Sequence, residues 1–395
     1  MKNIANLIIL GVFTVGVSLG FVEKPENSGV LENLPVIIEP NIVEDTIYGE
    51  DEVEYLHGVF LATVYNLDFP SALNMSESSL KAEIDEILDN IQKAEITDVF
   101  FQVRPCADAF YYSEYFPTSV YLTGNQDIKP SFDVLEYYVQ GCHDRGLKLH
   151  AWINPYRITK LESDVLSNTH IAVTNPELVV THSDGSLYFD PGLPEARQLI
   201  LDGIEEIIAN YDVDGIHFDD YFYPSTTFAD DASYAKYSNG MSLDDWRRDN
   251  VTTLVSDAND LIKSYSSDIL FGISPIGIWG NYPEFPEGSL TNGNSSYKVQ
   301  YADTKKWVEM GILDYIAPQI YWKIGYEIAE YLTLVDWWDA VCDGTDVSLF
   351  ICHANYREVS GAFEDGEIER QIEYNQTKDN VSGSIYFRYE HILEN

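Results

Sequence analysis

Hydrophobic and polar positions along the chain change character near residue 55 and then repeat. Short apolar runs rich in Val, Ile, Phe and Tyr fall at 57–64, 96–105, 147–156, 213–221, 269–276, 314–322, 347–356 and 383–390. Their length and their β-branched and aromatic content predict strands buried on both faces. Longer amphipathic segments lie between them. The segment 78–95 sets Leu80, Ile84, Ile87, Leu88 and Ile91 on one face, and 132–146 ends in a glycine stop. The segment 194–211 opens with a proline suited to a first helical turn, and 242–265 carries a serine cap. Eight alternations of strand and helix predict a parallel sheet, and eight units predict a closed (β/α)8 TIM-type barrel with enlarged βα loops. An open doubly wound sheet normally carries a glycine-rich phosphate loop after its first strand, and "LATVYNLDFPS" has none.

The residues ahead of the barrel have a different composition. Lys2 precedes an apolar stretch at 7–19, with the small residues Ser18 and Gly20 before Phe21. This predicts an export signal, or alternatively an uncleaved anchor, over residues 1–22. The stretch is short of the roughly 20 apolar residues a spanning helix needs. Residues 23–54 are acidic, contain Pro25, Pro35 and Pro40, and are expected to form a disordered linker. The barrel is expected over 55–395, outside the cytoplasm, either secreted or associated with the cell envelope.

Charge narrows the partners. Among 395 residues, 65 are acidic and 23 basic, a formal net charge of -42. Such a field repels nucleic acid and anionic membrane surfaces. The four cysteines, Cys106, Cys142, Cys342 and Cys352, are far apart and form no CxxC pair. No structural zinc site and no cofactor are expected, and the thiols are expected buried and free.

Several predicted strands turn polar near their carboxyl ends, on alternate residues. These are Gln102 and Arg104, then His150, Asn154 and Tyr156, then His217, Asp219 and Tyr221. They continue with Gln319 and Tyr321, His353 and Asn355, and Arg388 and Glu390. Period two keeps each set on one face. The carboxyl ends of all strands of a (β/α)8 barrel converge on one mouth, so these residues are expected to share a site. Asp219 and Asp220 are the candidate catalytic acids. Parity aims Asp219 into the mouth and turns Asp220 away, where it would orient a neighbour or bind substrate. A second carboxylate is then expected from Asp108, Glu284, Glu287 or Glu390. Two opposed carboxylates among aromatics suit acid and base work at a glycosidic bond. Aromatic loops, including the one holding Trp279, suit stacking against the faces of an oligo- or polysaccharide.

Long strings then match one family in order. They include "VFFQVRPCADAFYYSEYFPTSVYLTG", "FDVLEYYVQGCHDRGLKLHAWINPYR", "YDVDGIHFDDYFYP" and "YADTKKWVEMGILDYIAPQIYW". Over about residues 55–389 the chain resembles the glycosyl-hydrolase-like 10 family of exported bacterial proteins. The resemblance implies a TIM-type barrel hydrolysing a bacterial or dietary glycan, which in some members is peptidoglycan glycan stripped of its peptides. The chain has no Asn-Glu dipeptide, so the acid that many barrel glycosidases place after strand four is not carried over. The "D-G-x-x-x-D" ending at Asp219 is similar to that of amylase-like and chitinase-like barrels. There the matching aspartate is nucleophile or supports a substrate-assisted step, while the chitinase-like acid position falls on Tyr221. Two other functions compete with a glycosidase. One is a metal-dependent polysaccharide deacetylase using Asp219, Asp220 and His217, with His150 and His353 converging. The other is a glycan-binding barrel without catalysis.

Overall fold

The computed structural model of the protein describes residues 55–161 and 163–392. The export-signal and linker readings lie outside the described residues. Eight parallel strands close into a barrel: β1 (Leu56–Leu61), β2 (Asp98–Arg104), β3 (Lys148–Ile153), β6 (Gly215–Phe218), β7 (Leu270–Ile273), β8 (Tyr315–Ile316), β9 (Ser348–His353) and β10 (Val381–Tyr386). They pair in chain order, and β10 returns to β1. A small antiparallel hairpin, β4 (Val179–Thr181) and β5 (Leu187–Phe189), decorates the loop between β3 and β6.

All eight apolar runs form barrel strands, each shorter than its run. The sixth is reduced to two residues. Beyond it, single bridges from Gln319 to Ile276 and to Cys352 hold the chain at the rim. The long helices start where capping chemistry allows. Ser76 accepts from the amide of Ser79 ahead of the helix Glu77–Lys93, and Ser242 accepts from Asp245 ahead of Leu243–Tyr265. Pro194 opens Pro194–Asn210, where its missing N–H costs no helical bond.

Two apolar layers result. The larger lies between barrel and helices and buries Ile84, Ile87, Leu88 and Ile91 of the first helix against Val99 and Phe101 of β2. Each such side chain contributes roughly 1.5–3 kcal/mol when fully buried. The smaller fills the barrel itself with Phe60, Phe100, Trp152, Tyr315, Phe350, Cys352 and Ile385. Glycines make room for rings there, two of them most closely. A Cβ on Gly272 would lie 2.1 Å from the Tyr315 ring, and one on Gly215 would lie 2.3 Å from the His150 ring. All four cysteines are buried and unpaired. Among the described residues no helix is long and apolar enough to cross a membrane.

Candidate active site

β6 ends at Phe218, and the next two residues enter a cavity of about 460 Å³ at the carboxyl end of the barrel. Asp219 and Asp220 are the acids that line it among the described residues. Phe60, Tyr65, Trp152, Tyr221, Tyr321, Tyr356 and Phe387 form its aromatic walls, with Arg157 and Lys160 on one side.

Asp219 is buried and held by donors on both oxygens. Oδ2 accepts from Trp152 Nε1 at 3.2 Å and from Asn154 Nδ2, and Oδ1 accepts from the Tyr221 amide at 3.2 Å. The Asn154 amide is itself fixed, because Gln102 Nε2 and Arg157 Nη2 each donate to its Oδ1 at 2.8 Å. Gln102 Oε1 in turn accepts from the amides of Thr63 and Val64, which tie β2 to the first βα loop. Three strands and a loop therefore fix one carboxylate. Asp220 accepts from Gln300 Nε2 at 3.0 Å and from Gln319 Nε2 at 3.2 Å.

The electrostatics follow from burial. Desolvation first, then the Asp220 charge, pushes the Asp219 carboxyl up to about 7, against a partial offset from Arg157. Burial also raises Asp220, against its two glutamine donors. Both groups thus hold a proton more tightly than an ordinary carboxyl, as acid–base work near neutrality requires.

Several expected residues reach this cavity. Asp219, Gln102, Gln319, Tyr221 and Tyr321 line it, and Asn154 supports it one step behind. Others are corrected. Asp220 lies in the mouth, because the strand has ended before it and alternation no longer applies. Arg104 leaves the inner face at a register shift between Gln102 and Arg104 and packs over the Phe116 ring. Tyr156 follows the end of β3 and joins the outer core. On β9 the inner residues are Phe350 and Cys352, so His353 faces outward and bonds Gln371 and Ser384. Asn355 begins a short helix and lines a separate groove. Trp279 is buried against Trp337 and donates to Asp303.

His150 and His217 lie deeper, inside the barrel. Asp98 Oδ1 meets His150 Nε2 at 3.1 Å, and Tyr315 Oη bridges His150 Nδ1 at 3.1 Å to His217 Nδ1 at 3.0 Å. His217 Nε2 then meets Ser274 Oγ at 2.8 Å. Burial lowers His217 well below the usual histidine range. These imidazoles fill the barrel as a satisfied polar core. Among the described residues, no three His, Cys, Asp or Glu side chains form a metal-binding group.

The expected second carboxylates sit elsewhere. Asp108 lines a neighbouring cavity, where burial pushes it up to about 6. Glu284 and Glu287 are exposed partners of Lys298 and Lys305, and Glu390 pairs with Arg388. Missed by the sequence reading were Trp152, Arg157, Lys160 and Gln300. Trp152 shares the parity of His150 and Asn154 and was readable. The other three stand on loops, where no periodicity marks a face.

Comparison with known proteins bears on this geometry. The profile of the family described as glycosyl hydrolase-like 10 matches residues 55–366. Glycosyl hydrolase YngK of Bacillus subtilis (strain 168) is 42% identical over 354 residues, 86% of this chain and 69% of that protein. Glycosyl hydrolase DigH of Escherichia coli (strain K12) is 36% identical over 366 residues, 85% of this chain and 83% of that protein. Solved structures share the fold at low identity. The endo-β-1,4-mannanase of Thermotoga petrophila has a TM-score of 0.56 at 11% identity, covering 86% of this chain and 68% of its own. The PgaB (BpsB) glycoside hydrolase domain of Bordetella bronchiseptica has a TM-score of 0.53 at 14% identity, covering 85% and 94%.

Proposed function

Because the chain belongs to the glycosyl hydrolase-like 10 family and is a glycoside hydrolase, we propose that its substrate is an extracytoplasmic amino-sugar glycan. Peptidoglycan strands freed of their peptides are the specific polymer, with Asp219 and Asp220 as the catalytic pair. The apolar stretch at residues 7–19 supports a location outside the cytoplasm.

One observation carries the mechanism: two adjacent carboxyls enter a single aromatic-walled cavity, and no other acid lines it among the described residues. Ordinary retaining and inverting enzymes set their two carboxyls on opposite sides of the bond, and substrate-assisted enzymes are the exception. Neighbouring acids fit that exception. The 2-acetamido oxygen of the sugar attacks C1 while the C1–O bond breaks, and Asp220 gives its proton to the leaving oxygen. Asp219, fixed by Trp152, Asn154 and the Tyr221 amide and ionised as pH passes about 7, accepts the acetamido N–H and steadies the charge that develops on it. Water then adds to C1 as the bond from C1 to the acetamido oxygen breaks, its proton passes to Asp220 and the acetamido group is restored, so configuration is retained.

The test uses N-acetylated and de-N-acetylated forms of the same peptide-free strands, with product anomers followed by NMR. Cleavage of the acetylated form alone, with retention, is the expected result. Equal cleavage of both forms would overturn the route. Faster release from a neutral plant polysaccharide would overturn the substrate.

A further inference from the structure

The cavity contains a cation that the proposed chemistry leaves unused. Lys160 lines it beside Asp219 and Asp220, half-buried, and among the described residues its ammonium makes no ion pair. In a chain with 65 acids and 23 bases, an inward lysine that makes no ion pair with a carboxylate among the described residues is out of keeping with its surroundings. Its neighbour Arg157 is different, being spent on the Pro105 carbonyl, the Asn154 amide and the face of Tyr221.

The position of Lys160 is built. Its own amide and that of Leu161 both donate to Asp164 Oδ2, at 2.8 and 2.9 Å, which pins the loop. Its Nζ lies 5.6 Å from the Tyr65 ring centre and 5.5 Å from that of Tyr221. Tyr65 stands in the left-handed region at φ 57, ψ 19, a conformation costly for a bulky side chain and concentrated at ligand clamps. Tyr65 also borders both the catalytic cavity and the neighbouring one of about 840 Å³. Lys160 therefore lines the catalytic cavity beside the tyrosine that borders both cavities.

We infer that Lys160 is a specificity-determining residue that binds a carboxylate carried on a sugar beside the scissile bond. Tyr65 and Tyr221 flank that sugar. The inference rests on the amino-sugar reading above and refines it: the preferred glycan carries acidic ether substituents, which removal of the peptides leaves free. A peptide-capped glycan would present an amide there and lose the ion pair.

The experiment measures binding by calorimetry in an Asp219→Asn background, so that turnover does not interfere. The probes are N-acetylated strands bearing 3-O-lactyl carboxylates and the same strands with those carboxylates reduced to alcohols. The Asp219→Asn protein with Lys160 intact is expected to prefer the carboxylate form by about tenfold or more, the scale of one charge-assisted hydrogen bond. That preference should collapse in Lys160→Met and survive in Lys160→Arg. A preference that persists in Lys160→Met, or is absent with Lys160 intact, overturns the assignment. Binding of neither strand overturns the substrate reading together with it, and binding of both strands equally overturns only the role of Lys160.

Discussion

Asp219 is held by three donors yet carries a proton up to about 7, so its charge state governs both rate and stability. Asp219→Asn keeps an acceptor for Trp152 and Asn154 but cannot hold the developing charge. Hydrolysis should fall at least about 10²–10⁴-fold, with the circular-dichroism spectrum unchanged. A variant retaining more than about a tenth of the wild-type rate would remove Asp219 from catalysis. The same variant reports on pH. A carboxyl whose folded pKa lies above its unfolded value of 3.8 favours the folded state when protonated, and that contribution is lost as pH rises through about 7. The melting temperature of Asp219→Asn, compared with wild type, should therefore gain between pH 4 and pH 8, whatever the offset at pH 4. A flat difference across that range would show that the site does not load the carboxyl. Parity found the inward residues within a strand and one residue past its end, as at Gln102, Asn154 and Asp219. It failed where the backbone departed from period two: at the register shift before Arg104, after the end of β3 at Tyr156, and after the end of β6 at Asp220. Those departures are set by neighbouring strands and leave no mark in the local sequence.

A strand's alternation states which face a residue takes, and says nothing about how deep along the barrel it lies. His150 and His217 share their faces with Asn154 and Asp219, yet they stop short of the mouth and are consumed by Tyr315, Asp98 and Ser274. Gly272 on β7 and Gly215 on β6 admit the rings, so the polar layer and the glycines form one packing unit. Tyr315→Phe removes the hydroxyl that both imidazoles meet and leaves two buried ring nitrogens short of a partner. It should cost about 1–3 kcal/mol in urea unfolding. Activity of the folded fraction should stay near wild type, since Asp219 is positioned by other groups. A loss of activity larger than the loss of stability would mean that this layer reaches the chemistry. His353 carries the complementary lesson. It looked inward by its polar character, but the inner positions of β9 belong to Phe350 and Cys352, and its partners come from Gln371 and Ser384.

At the scale of the molecule, eight apolar runs separated by amphipathic segments were enough to define a closed barrel, because burial on both faces and helical periodicity leave few alternatives. The site was less legible, since its basic wall and its second acid stand on loops shaped by tertiary contacts. Charge connects the two levels. A net charge of -42 repels an acidic glycan at long range, while Lys160 attracts a single carboxylate at contact. Salt separates these effects, because the Debye length falls from about 30 Å at 0.01 M to about 8 Å at 0.15 M. The long-range repulsion is screened over that interval, whereas a half-buried contact is screened much less. The kcat/KM for strands bearing lactyl carboxylates should therefore rise from 0.01 to 0.15 M salt, through faster encounter. Strands with reduced carboxyls should show little change. A steady fall with salt for the acidic strands would mean that local attraction dominates encounter, and that the acidic surface faces away from the path by which the glycan enters.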